Sequence, residues 1–231
     1  MTSRPAFSDP DALARLPYFQ EVPAAVLARV QQQARLLSVR RDEIIAHRGE
    51  PCLGMHIVVQ GRVKLCYEAA SGLERIMRIV SPGDSFGEAL MCLGREYIAS
   101  AEALCDSQLV YIPKDIILAQ MAESAPLAQR LVASLSRQLY MMMGDMGAYT
   151  VRNGHQRLIG YLLRESGSHQ DIPVRLTVPK GVIASRLNLT PQHFSRILHD
   201  LIQRRLIQVQ GREFTILDLQ GLLDYRDQQA L

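Results

Sequence analysis

The chain has 231 residues, 48% of them hydrophobic, with 26 Lys and Arg against 23 Asp and Glu for a formal net charge of +3. That length and apolar content allow one large or two modest domains with buried cores and exclude a disordered chain. Cys52, Cys66, Cys92 and Cys105 form no C-x-x-C pair, no apolar stretch near the start resembles a signal peptide, and no run reaches the roughly eighteen apolar residues of a membrane helix. A disulfide framework, export and a membrane span are therefore not expected, and a reducing cytoplasm is.

From about residue 36 to 120, short apolar runs are punctuated by Gly49, Gly54, Gly61, Gly72, Gly83, Gly87 and Gly94. In GRVKLCY, Val63, Leu65 and Tyr67 alternate with Arg62, Lys64 and Cys66, the period of two that a half-buried strand requires. Evenly spaced strands with glycine turns predict an antiparallel barrel or jelly roll.

Between Ser124 and Arg152 the period changes. Ala128, Val132, Leu135, Leu139, Met142, Met146 and Tyr149 follow a 4-3-4-3-4-3 spacing, the seam of a two-stranded coiled coil. A single amphipathic helix packed on its own barrel would give the same pattern over so few heptads. Gly144 and Gly147 weaken the helix. Met141, Met142, Met143 and Met146 fit an adjustable apolar interface better than a ligand box.

A further helical pattern begins at His155, with Leu158, Ile159, Leu162 and Leu163 on one face, and the polar stretch SGSHQD follows it. The chain then reads as a strand over 174–178, a helix over 180–187, a tight turn and a second helix. Thr190 supplies an N-cap oxygen for that second helix and Pro191 suits its first position. Phased at 100° per residue, it gathers Phe194, Ile197, Leu198, Leu201 and Ile202 on one side and Gln192, Ser195, Arg196, His199 and Gln203 on the other. LIQVQGREFTIL then reads strand, glycine turn, strand, which completes a helix-turn-helix with a β wing.

Charge is uneven along the chain. Residues 152–231 hold 11 Lys and Arg against 7 Asp and Glu, and residues 180–212 hold six basic side chains against one acid, Asp200. Basic charge gathered on one small region is the footprint of a polyanion partner, although a solvated helix face carries such a run as well.

The stretches RGEPCLGMHIVVQGRVKL, PGDSFGEAL, LTPQHFSRILHDLIQRRLI and QGREFTIL, with the seam helix between them, resemble the CRP/FNR superfamily of transcription regulators over nearly the whole chain. FGEALM, EYIASAEAL and PQHFSRILHDL are most similar to the Dnr-type regulators of denitrification and nitric oxide response. The resemblance implies an α+β chain: a cyclic-nucleotide-binding-like β-roll (jelly roll) with N-terminal helices over 1–123, a long dimerisation helix over 124–152, and a winged helix-turn-helix over 153–231. It places Gln192, Ser195 and Arg196 at base-reading positions and Lys180 on a phosphate, with Thr190, His193, His199 and Arg212 completing the expected DNA-binding set. Arg matches guanine O6 and N7 with a bidentate fork, and Gln can do the same for adenine. The expected dimer interface is Val132, Leu135, Leu139, Met142, Met146 and Tyr149. The implied partners are double-stranded DNA carrying an inverted-repeat operator, a second copy of the chain, RNA polymerase and an unknown small effector; an activator is expected.

The effector pocket maps onto Glu88, Ala89, Leu90, Ile98, Ala99 and Ser100. Nucleotide-binding members hold the ribose with a Glu in a G-E motif and the phosphate with an Arg-Ser pair about ten residues on. Glu88 is present, but Ile98 and Ala99 stand at the second position. Losing a charge-assisted hydrogen bond costs roughly 1.5–3 kcal/mol, so cyclic AMP is disfavoured and a cyclic-AMP-dependent regulator is the alternative within the family. An N-terminal iron–sulfur cluster is disfavoured because no cysteine precedes Cys52. Haem, associated with Dnr-type sensing of nitric oxide, needs an axial ligand, for which His47, His56, Cys66, Cys92 and Cys105 are the candidates. The alternative of another class is a cupin-like metal enzyme, against which the six histidines form no H-x-H pair and are scattered. No catalytic residue and no metal site are expected.

Overall fold

The computed structural model describes residues 13–68, 74–151 and 153–228, with side chains described at all of these but 68 and 144–151. It divides into two compact units, Met1–Tyr140 and Met141–Leu231, with the boundary inside one long helix. No described helix is long and apolar enough to cross a membrane.

The first unit opens with a 3-10 turn, Pro17–Phe19, and helix α1, Ala24–Gln33. Eight strands follow: β1 Arg35–Val39, β2 Ile44–Ala46, β3 Gly54–Gln60, β4 Val63–Glu68, β5 Glu74–Val80, β6 Ser85–Phe86, β7 Ser100–Ala103 and β8 Ser107–Pro113, with the short helix α2, Glu88–Leu93, inserted after β6. They form two four-stranded antiparallel sheets in the orders β1-β8-β3-β6 and β2-β7-β4-β5. One apolar core joins both sheets: Ile57 and Leu109 from the first, Val63, Val80 and Ala101 from the second, with Phe19 and Val30 from the N-terminal segment. Two glycine positions are obligatory. Gly61 turns β3 into β4 at φ +88°, where a Cβ would fall 2.1 Å from the Ser107 hydroxyl. Gly87, at φ +93°, sets the start of α2 where a Cβ would meet the Gly54 carbonyl at 2.8 Å.

Strand β4 keeps the expected alternation: Val63 lies in the core and Leu65 packs against it, while Lys64 and Cys66 share the other face with Glu74 and Glu102. The register against β5 shifts between Leu65 and Cys66 because β5 carries Met77 as an extra residue, and the pairing with β7 runs without a shift. Cys66 is buried on its face, and Tyr67, at the end of the strand, is exposed.

Helix α3, Lys114–Glu123, leads into α4, Ala125–Val151. Helix α4 has two apolar faces rather than one. Leu127 and Leu131 are buried in the β-roll core, with Ser134 buried one turn further on. The heptad seam is offset by one residue: Val132, Leu139 and Met142 are 60%, 59% and 55% exposed and Leu135 is half-buried. Packing of the helix on its own barrel is therefore present, and the heptad row lies exposed on the neighbouring face. The side chains of Met146 and Tyr149 lie outside the described residues.

The second unit contains α5 Gly154–Glu165, β9 Val174–Arg175, α6 Lys180–Arg186, α7 Pro191–Gln203, β10 Ile207–Gln210, β11 Glu213–Ile216 and α8 Leu219–Gln228. Asn153 and Gln156 close a capping box on α5. The strand expected over 174–178 is only two residues long, because β11 offers it partners at Glu213 and Phe214 alone; Leu176 and Val178 are buried without continuing it. The sheet runs β10-β11-β9, and Gly211 turns the β10-β11 hairpin at φ +60°. Phe194, Ile197 and Leu201 of α7 are buried as expected. Ile202 is not: it sits at the edge of the apolar stripe and is 36% exposed.

Candidate nucleic-acid interface

Helix α7 is pinned at its start. The Thr190 hydroxyl accepts from the His193 amide at 3.2 Å, and Pro191 occupies the first turn, where no amide hydrogen is needed. The turn from α6 is closed by backbone bonds from Asn188 to Ser185 and from Leu189 to Ala184, with Asn188 in the left-handed region at φ +53°. With the apolar stripe buried below, Gln192, Ser195, Arg196 and His199 stand exposed on the outer face. None of the four has a hydrogen-bond or ionic partner among the described residues. Thr190 and Arg212, on the hairpin turn, are exposed as well, while Lys180 at the start of α6 and His193 are half-buried. An exposed row of amide, hydroxyl, guanidinium and imidazole groups, with no internal use for them, can bond to base edges and phosphates.

One flank of α7 carries a cluster that sequence reasoning missed. Asp200 accepts from the Tyr225 hydroxyl of α8 at 2.6 Å and from Arg204 Nε at 3.0 and 3.2 Å. His155 Nε2 of α5 lies 3.8 Å away, and the Arg204 guanidinium stands 4.5 Å over the Tyr225 ring. The Tyr225 bond, aided by Arg204, holds the Asp200 carboxyl below its ordinary range, so it stays ionised. Burial pushes the His155 imidazole down, against the pull of Asp200. The available signal was that Asp200 is the one acid among six basic residues over 180–212.

In the first unit, Glu88 is 1% exposed and belongs to a network within the protein. Its Oε1 accepts from the Ser85 hydroxyl at 2.6 Å and from the Gln138 side-chain amide of α4. The Ser85 and Ser134 hydroxyls both bond to the Tyr18 hydroxyl, at 2.7 and 2.9 Å. Arg78 donates to Gln138 Oε1 at 2.7 Å and to the Ser85 carbonyl at 3.1 Å. Burial pushes the Tyr18 phenol up, which keeps it neutral. Glu88 Oε2 has no hydrogen-bond partner among the described residues. The signal for this network was a second 4-3-4 row on α4, Leu127, Leu131, Ser134 and Gln138, whose last two members are polar.

The other expected pocket residues have unrelated surroundings. Ala89 is exposed, Leu90 packs against the β-roll core, Ile98 is 60% exposed, Ala99 is buried, and Ser100 accepts from the Arg48 amide at 3.1 Å. Among the haem-ligand candidates, His56 is buried in a stack, 4.7 Å from Phe86 and 4.9 Å from Tyr111 between centroids, and burial lowers it to about 3. His47 and Cys92 are exposed, and Cys105 is half-buried 4.0 Å from the Ser107 hydroxyl. Cys66, Glu74 and Glu102 bring ligand atoms within 4.8 Å of one another. Lys64 Nζ already sits there, 2.6 Å from Glu74 and 3.0 Å from Glu102. Burial and Glu74 push the Cys66 thiol up to about 12, so it is a poor metal ligand.

Residues 36–124 match the cyclic nucleotide-binding domain family, and residues 156–225 match the Crp-like helix-turn-helix domain family. Among full-length relatives, the CRP-like cAMP-activated global transcriptional regulator of Mycobacterium tuberculosis is 23% identical over 92% of this chain and 97% of its own. FixK2 from Bradyrhizobium japonicum shares the fold, with a TM-score of 0.72 at 24% identity over 83% of this chain and 96% of its own. DNR from Pseudomonas aeruginosa is 27% identical, with a TM-score of 0.50 over 93% of this chain and 96% of its own. The matched families and relatives are regulators of transcription, not enzymes.

Proposed function

For a chain that belongs to the CRP/FNR family of transcription regulators and binds DNA through a Crp-like helix-turn-helix, we propose a homodimer that reads an inverted-repeat operator and responds to an effector other than cyclic AMP. The observation that carries the reading is the outer face of α7: Gln192, Ser195, Arg196 and His199 are exposed and unpartnered among the described residues, on a helix fixed by its cap and its core. In this reading they meet base edges in the major groove, while Lys180 and Arg212 meet phosphates.

Dimerisation follows from α4. Leu127 and Leu131 already pack on the β-roll, and the exposed apolar row of Val132, Leu139 and Met142 beside them favours a second copy at roughly 25 cal/mol per Å² of apolar surface buried. Replacing Leu135 and Leu139 together with Asp is expected to give a monomer by sedimentation and to abolish operator binding. A double variant that stays dimeric would sink the seam. A parallel dimer presents its recognition helices about 34 Å apart, so selection from a random duplex pool is expected to return inverted repeats of that spacing. Direct repeats, or no enrichment, would count against it. RNA polymerase is the partner such a regulator engages as an activator at a promoter.

The effector reading rests on Glu88. Its one hydrogen-bonded oxygen is held by Ser85 and Gln138, and Ile98 is turned to solvent where a phosphate partner would be needed. Calorimetry with millimolar cyclic AMP is expected to give no binding heat; a saturable micromolar response would overturn this. The Dnr-type subgroup is supported by the likeness to DNR, but haem does not fit the described candidates. His56 is buried against Phe86 and Tyr111 with the Tyr97 hydroxyl 3.5 Å from its Nδ1, Cys66 holds its proton, Cys105 is half-buried beside the Ser107 hydroxyl, and His47 and Cys92 lie on the surface.

A further inference from the structure

At 100° per residue His193, Asp200 and Arg204 share one flank of α7, between the outer polar face and the buried stripe. That flank is held by a directional contact, since Tyr225 of α8 donates to Asp200 at 2.6 Å. It is also closely packed: a Cβ on Gly154 of α5 would come within 3.2 Å of the His193 ring. Helix α8 is itself tied to α5, since Gln156 Nε2 donates to the Arg226 carbonyl at 3.1 Å. On the opposite flank Ser195 and Ile202 are exposed and give no such restraint. The apolar stripe resists lifting of the helix, but contacts among apolar side chains are non-directional and tolerate a small roll. A short hydrogen bond to a carboxylate does not.

We infer that Asp200 is a positioning residue for DNA recognition: held by the Tyr225 hydroxyl and by Arg204, it fixes the rotation of α7 about its own axis and so aims Gln192, Ser195, Arg196 and His199. With side chains a helix has a radius of about 5–6 Å, so a roll of about 20° would carry their tips by about 2 Å. Base-edge hydrogen bonds span only about 2.7–3.2 Å, so such a displacement breaks them. Phosphate contacts from α6 would survive it, because non-specific affinity depends on charge rather than aim. The inference rests on α7 being the base-reading helix.

The test uses the full-length protein, the duplex that wild type selects from a random pool, and a shuffled duplex of the same length. Tyr225→Phe removes one hydroxyl and keeps the ring. It is expected to weaken binding to the selected duplex about tenfold while binding to the shuffled duplex stays within about twofold. Asp200→Asn keeps an acceptor for Tyr225 but loses the charge that holds Arg204, and is expected to fall between wild type and Tyr225→Phe. Should Tyr225→Phe fail to fold, Asp200→Asn decides alone. A wild-type ratio between the two duplexes in both variants, or a proportional loss on both duplexes, would overturn the inference. A wild type that prefers no sequence would overturn the reading of α7 itself, and the inference with it.

Discussion

Two sets of polar side chains, one in each unit, are built from similar groups and have opposite fates. In the first unit Tyr18, Ser85, Glu88, Ser134 and Gln138 are drawn from a 3-10 turn, a strand, α2 and α4, and they bond to one another. On the winged helix, Gln192, Ser195, Arg196 and His199 come from one helix and have no partner among the described residues. The difference lies in the surroundings rather than the residue types. A buried polar group must find a partner inside the fold, because leaving it unmet costs about 1–3 kcal/mol. An exposed one is satisfied by water and can exchange that water for another molecule. The same contrast separates Asp200 from the residues beside it: it shares their helix but is held on the flank by Tyr225.

The largest expected effect is on the first unit in acid. His56 has its proton affinity lowered to about 3 by burial, against an ordinary 6.5 in the unfolded chain. Above pH 6.5 neither state is protonated and nothing is lost. Below it the unfolded chain takes up a proton that the folded unit refuses, which costs about 1.4 kcal/mol of stability per pH unit until the pH nears the folded value. Urea unfolding is expected to show a loss of about 3 kcal/mol between pH 7 and pH 4 from this group, removed in His56→Phe. An unchanged slope in that variant would discharge His56 from the role.

The next sharpens the contrast at Glu88. Removing its carboxylate with Glu88→Ala strands the Ser85 and Gln138 donors, and is expected to cost the first unit about 2–3 kcal/mol in urea unfolding. Combined with Gln138→Ala the losses should be less than additive, because both changes cut one network. Full additivity would mean that the two side chains do not depend on each other.

Arg196→Ala is the counterpart on the exposed face. It is expected to leave stability within about 0.5 kcal/mol and to cost about 1–3 kcal/mol of operator affinity, with preference lost at one G·C pair. A variant that loses stability but keeps its sequence preference would show that Arg196 supports the fold instead. Lys180→Ala should have the smallest effect, weakening all duplexes alike and lowering the salt dependence by about one counterion. A sequence-dependent loss would make Lys180 a reader of bases.

Much of the winged helix was legible in the sequence. The faces of α7, its Thr190 cap, the glycine hairpin and the apolar row of α4 are all set by residues within a few positions of one another, which the repeat of a helix or strand brings together. The failures have local causes too: Tyr67 is exposed at the end of β4, and Ile202 fell at the margin of its stripe. Helix α8, which supplies Tyr225, was not read at all.

What the tertiary structure alone decided is which polar groups meet. Tyr18 reaches Ser85 across 67 positions and Ser134 across 116, Gln138 reaches Glu88 across 50, and Tyr225 reaches Asp200 across 25. Residue period placed Ser134, Gln138 and Asp200 on helices, whereas the elements that hold Tyr18, Ser85, Glu88 and Tyr225 emerged only in the fold. A hydrogen bond extends only about 3 Å, so its partner is whichever group packing brings that close, and packing is settled by contacts far apart in the chain. By itself the sequence determined most of the elements, the faces of α7 and the basic helix-turn-helix; the fold decided that Glu88 is engaged within the protein and that Arg196 has no partner among the described residues.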